Sequence, residues 1–173
     1  MKKIVCTLLC ALMLALTGCG KDIPALNEIT VDNFETIETE LVGCDRDDLI
    51  KAWGEPALSS TGMSSDIWDL KGELETLLNV YYNGDGSYNS SLISYMLQYT
   101  GTVTEIGDKV SPEATTFKVT VQLDDGSTVV IDTAVDTVYT GADALEVGQR
   151  ANFVCTTMTG ANYVWIKTAE IIG

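Results

Sequence analysis

Apolar and polar positions change their spacing several times along this chain, and each change marks a segment. From Ile4 to Leu16 no residue is charged, and in those 13 positions Thr7 alone carries a hydroxyl. A bilayer-spanning helix needs about 20 apolar residues, so this run is too short to cross. Further on, Phe34, Ile37 and Leu41 fall at i, i+3 and i+7, with Thr30 ahead of them as a cap and Gly43 as the stop. Asp45 to Pro56 predicts a second short helix. Asp45 is its N-cap, Asp47 and Asp48 stand where the helix dipole favours anions, Leu49, Ile50 and Trp53 point to a core, and Gly54 with Pro56 ends it. The period then shortens to two: Asp66 to Leu70 and Leu78 to Tyr82 alternate, and Ile93, Tyr95, Leu97 and Tyr99 line one face of a longer strand. Asn83 to Ser87 supplies a hairpin turn between the last two.

Beyond Tyr99 the pattern is all extended. Phe117, Val119, Val121 and Leu123 alternate with Lys118, Thr120 and Gln122, Asp124 to Ser127 turns the chain, and Thr128 to Asp132 returns it. Gly141 to Glu146 reads as one helical turn, Ala151 to Cys155 as a strand, and Tyr163 to Ile171 as the last strand. Leu145, Val147 and Gly148 before a strand are similar to the entry of OB-like barrels, which are small closed sheets. The expected fold is α+β: two helices packed on a three-stranded antiparallel meander, then a small all-β OB-like barrel.

The N-terminal run gains meaning from its ends. Lys2 and Lys3 precede it, and Leu16-Thr17-Gly18-Cys19 follows. Two lysines, a short apolar stretch and small residues before a cysteine resemble the signal of bacterial lipoproteins. The resemblance implies cleavage before Cys19, a diacylglyceryl group on its thiol, and residence on the extracytoplasmic face of a bacterial membrane. With Gly20 rather than Asp after Cys19, it implies the outer membrane where the host has one. The expected organisation is a signal at 1–18, a tether at 19–29, an α+β domain at 30–98 and a β-barrel at 99–173.

A second resemblance rests on Asp48, Leu49, Gly54, Glu55 and Pro56, then Trp68 and Leu70, then the tyrosines of the next strand. From about Asp45 to Tyr95 the chain is similar to small lipoproteins of the BamE (SmpA/OmlA) and β-lactamase-inhibitor-like superfamily. That implies a role in binding other proteins, as accessory subunits or inhibitors. The chain departs from the outer-membrane members by continuing for a further module after the sheet.

Charge narrows the partners. The chain has 10 basic and 25 acidic residues, and loss of Lys2 and Lys3 with the signal takes the formal charge from −15 to −17. A polyanion gains nothing by releasing counterions from phosphates, so nucleic acid is excluded as a partner. Anionic headgroups would repel it too, leaving the lipid on Cys19 as the membrane contact. Of five cysteines, only Cys44 and Cys155 remain after the signal and the lipidated residue are set aside. They either form a disulfide, which needs Cα atoms within about 7 Å, or serve as two small buried hydrophobes.

No cofactor or metal is expected. Asn83, Asp85 and Ser87 look like half of a calcium loop, but Ser94 stands where a bidentate Glu is required. The chain has no histidine, and Glu73, Glu75, Asp124 and Asp125 sit in turns, so catalysis is not expected either. The expected function is a lipid-anchored protein-binding or envelope-assembly module. Its partner surface is an aromatic rim of Trp68, Tyr81, Tyr82 and Tyr88, residue types that dominate interface hot spots. The alternative is a surface lipoprotein that binds a small ligand or a cation.

Overall fold

A computed structural model describes residues 22–72, 74–108, 116–133 and 140–172. The predicted signal and Leu16-Thr17-Gly18-Cys19 therefore lie outside the described residues. The chain forms two units: one holds the described residues up to Leu70 together with Leu78–Ser91, the other Lys71–Leu77 together with those from Leu92 onward.

In the first unit, helix α1 spans Phe34–Leu41 and buries Phe34, Ile37 and Leu41, the stripe its spacing predicts. Asn33, not Thr30, occupies the cap position; Thr30 and Asn33 instead exchange side-chain to backbone bonds across a tight turn. Helix α2 spans Arg46–Trp53. Asp45 caps it by accepting from the Asp48 amide at 2.9 Å, and Asp48 reaches back to the Asp45 amide at 3.3 Å, a reciprocal box. Gly54 ends α2 with φ of 82°, a conformation that suits a residue without Cβ.

Four strands contribute to this unit in the order β1 (Leu58–Ser60), β2 (Ser65–Asp69), β3 (Thr76–Tyr82, from Leu78) and β4 (Tyr88–Ile106, as far as Ser91). On β2, Asp66 and Trp68 share the buried face; on β3, Leu78, Val80 and Tyr82 do. Trp68 ties the strands to the helices: its Nε1 donates to the Gly54 carbonyl at 3.1 Å, and its ring meets Trp53 edge-on at 5.2 Å.

The second unit is a closed five-stranded barrel. Its strands are β4 from Leu92 onward, β5 (Lys118–Leu123), β6 (Thr128–Asp132), β7 (Arg150–Met158) and β8 (Trp165–Ile171). They run β4-β5-β6-β8-β7, and β7 pairs back onto β4. All neighbours are antiparallel except β6 and β8, which meet in parallel at Asp132 and Trp165. Val103, Val119, Val121, Ile131, Phe153 and Ile166 fill the interior. Gly101 sits where β4 and β5 come close: a Cβ there would overlap the Gln122 carbonyl oxygen and lie 2.7 Å from Val121.

The expected α+β class is overturned. The described residues are mostly β, with eight strands against two eight-residue α-helices and a closed barrel in place of a separable helix-on-meander fold. The meander also fails in detail, because a fourth strand, β1, borders β2. Leu58-Ser59-Ser60 gave no alternating signal because two of its three residues are exposed at the sheet edge. The stretch read as a strand ending at Tyr99 is one 19-residue strand, β4, and the units divide inside it, between Ser91 and Leu92.

Candidate functional site

The first unit carries a cleft of about 360 Å³ lined by Arg46, five hydroxyl residues (Ser59, Ser60, Thr61, Ser64, Ser65), Asp66, Tyr82, Asn83, Gly84 and Gly86. Local structure places each part. Arg46 is the first residue of α2, and its amide donates to the Gly86 carbonyl at 3.1 Å, fixing the helix start against the β3–β4 turn. The hydroxyls come from β1, β2 and the turn between them, in which Ser64 adopts φ of 47°.

At the base of the cleft, Arg46 grips Asp66 with two nitrogens, Nε to Oδ2 at 2.7 Å and Nη2 to Oδ1 at 3.2 Å. Ser59 Oγ also donates to Oδ1, at 2.6 Å. Asp66 is 2% exposed at its side chain, Arg46 42%, so the pair has one buried end and one wet end. Burial drives the Asp66 carboxyl up, but the bonds from Arg46 and Ser59 outweigh it and hold the group below the usual carboxylate range. The same bond raises the Arg46 pKa.

Tyr82 forms another part of the wall. It is 8% exposed, and its hydroxyl has no hydrogen-bond partner. Burial, and then the neighbouring Asp66 carboxylate, push its pKa up. A buried donor without an acceptor costs about 1–3 kcal/mol, which a fold bears only where something offsets it.

The four residues of the expected aromatic rim are dispersed. Trp68 is 2% exposed and belongs to the core; Tyr82 is buried in the cleft wall. Tyr81 and Tyr88 are half-buried and are not among the lining residues, and the Tyr88 hydroxyl is bonded to Ser91 Oγ at 2.8 Å. Arg46, Asp66 and the hydroxyl hairpin are the parts that reading for aromatics missed. A signal existed: Arg46 is the one base between Asp22 and Ile50, standing among acids. Two exposed apolar side chains flank the hydroxyls on the same hairpin, Leu58 at 60% and Met63 at 68%.

Elsewhere the expected sites resolve into local structure. In the Asn83–Ser87 turn, Asp85 Oδ1 accepts from the Ser87 amide and hydroxyl, and Asn83 Nδ2 donates to that hydroxyl. Among the described residues there is no group of three or more acids, cysteines or histidines placed to hold a metal. Asp124 pairs with Arg150, and Asp125 accepts from Ser127. Glu73 lies outside the described residues. Cys44 and Cys155 are both buried and neither is in a disulfide. No protein-family model and no curated protein matches this chain.

Proposed function

We propose that the mature chain is a lipid-anchored module on the extracytoplasmic face of a bacterial membrane, working by binding a protein partner rather than by catalysis. The anchor rests on the Leu16-Thr17-Gly18-Cys19 signature, and two or more acyl chains on one cysteine suffice for a stable tether. The motif shared with BamE-type lipoproteins points the same way, toward protein recognition.

The observation that carries the reading is the Arg46–Asp66 cleft itself, where a guanidinium 42% exposed stands among five hydroxyl residues. A protein partner would meet the exposed guanidinium and the hydroxyls there. Tyrosine and arginine are the residue types that concentrate binding energy, and exposed Leu58 and Met63 give such a partner apolar ground beside the polar cleft. The chain has no histidine to serve as a base near neutral pH.

The test is recovery of partners from detergent-solubilised membranes by wild type, Tyr82→Phe and a Leu58→Ser/Met63→Ser double variant. Partners lost from the Leu58→Ser/Met63→Ser variant or from Tyr82→Phe, with native circular dichroism retained, support the reading. Equal recovery by all three overturns it.

A further inference from the structure

The barrel has a cleft of its own, about 320 Å³, lined by Gly107, Asp108, Thr116, Phe117, Lys118, Asp132, Thr133 and Trp165. Register explains its chemistry. Lys118 pairs with Asp132 across β5 and β6, and Asp132 pairs with Trp165 across β6 and β8. Residues directly opposite on neighbouring strands project to the same face, so the three side chains form one row. Their neighbours Val119, Ile131 and Ile166 are buried in the barrel, which puts the row on the outer wall.

The row is only loosely tied to its surroundings. Tyr163 stacks on the Trp165 indole at 4.4 Å and 22°, covering one face of a ring that also borders the cleft. Lys118 reaches Asp132 at only 3.4 Å and is 67% exposed, a loose pair in water. Asp108 adds a second, exposed carboxylate. Thr133, by contrast, is saturated: its hydroxyl accepts from the Phe117 amide and donates to the Phe117 carbonyl.

Among the described residues the lining therefore holds two carboxylates against one ammonium, beside an aromatic face, in a chain with 25 acidic and 10 basic residues. An anion would meet repulsion from the lining and from the chain's net charge. A cation with an apolar body would gain from the ring quadrupole, the carboxylates and the same field. We propose that the Lys118–Asp132–Trp165 row is a site for a small organic cation, an ammonium or guanidinium group carried by a free amine or by a lysine or arginine side chain. This site is independent of the partner reading for the first unit.

Titration calorimetry of the full chain in detergent tests it, with choline as the free organic ammonium and Nα-acetyl-arginine methylamide as the side-chain mimic. Saturable binding of one or both, one per chain, is expected, and which of them binds more tightly identifies the source. Affinity should fall by about tenfold or more in Trp165→Leu and in Asp132→Asn, and be unchanged in Glu35→Gln, an exposed carboxylate on α1. Should Trp165→Leu misfold by circular dichroism, Asp132→Asn and Asp108→Asn carry the reading. Absence of saturation, equal affinity in the variants, full competition by calcium at matched concentration, or preference for methyl glucoside over both cations would each overturn it.

Discussion

Arg46 holds Asp66 through two separate nitrogen–oxygen bonds, of 2.7 and 3.2 Å, across a sequence gap of 20 residues. The pair joins the first turn of α2 to β2, and it is asymmetric: the carboxylate is buried, the guanidinium half in water. Removing the exposed partner strands the buried one. Arg46→Met should therefore destabilise the protein by about 1–3 kcal/mol in urea unfolding, the cost of an unsatisfied buried acceptor. Arg46→Lys should restore only part of it, since an ammonium is a point charge that cannot match both oxygens.

Acid should loosen the same joint. The folded Asp66 carboxyl lies below its unfolded value, so its contribution is fully present above about pH 4 and is lost as pH falls through the folded pKa. Melting temperature followed downward from neutrality should fall less steeply in Asp66→Asn than in wild type over that acid range. Parallel curves would show that Asp66 is not the group responsible.

Gly101 on β4 has no room for a methyl group, because its neighbours are the Gln122 carbonyl and Val121 rather than a movable side-chain tip. Gly101→Ala should cost about 1–3 kcal/mol through strand separation in the barrel, read by denaturant midpoint. Gly84, where a Cβ would meet nothing within 4 Å, is the matched control.

The Cys155 thiol is buried in the barrel, and burial pushes its pKa up to about 12. The thiolate is the reactive form, so iodoacetamide at mildly alkaline pH should leave Cys155 unmodified in the native protein and label it on unfolding. Peptide mass mapping distinguishes the two states.

Cys19→Ser removes the only lipid attachment the sequence proposes. It should move the protein from the membrane to the soluble extracytoplasmic fraction; a variant that stays with the membrane would refute the anchor.

What the sequence made legible follows from how far each signal reaches. The α1 stripe, the Asp45 cap and the alternation of Val119 and Val121 are written within a turn or a few residues, and all are present. The class was not legible, because it depends on strand partners far apart: β7 returns to β4 with Ser94 opposite Met158, a pairing no local period announces. The cleft failed for a different reason. Aromatic type suggested a rim, yet facing decides exposure: Asp66 and Trp68, two residues apart on β2, both turn inward, so a tryptophan placed on the rim is core and the acid beside it is buried with it. Arg46 was legible as a lone base, but its partner across 20 residues was not.

The 19 residues of β4 have an architectural consequence for anyone wishing to borrow half of this protein. Because Tyr88–Ser91 serve one unit and Leu92–Ile106 the other, while Lys71–Leu77 are counted with the barrel, neither half is a cassette with clean borders. A graft cut at that division would carry a severed strand into its new host.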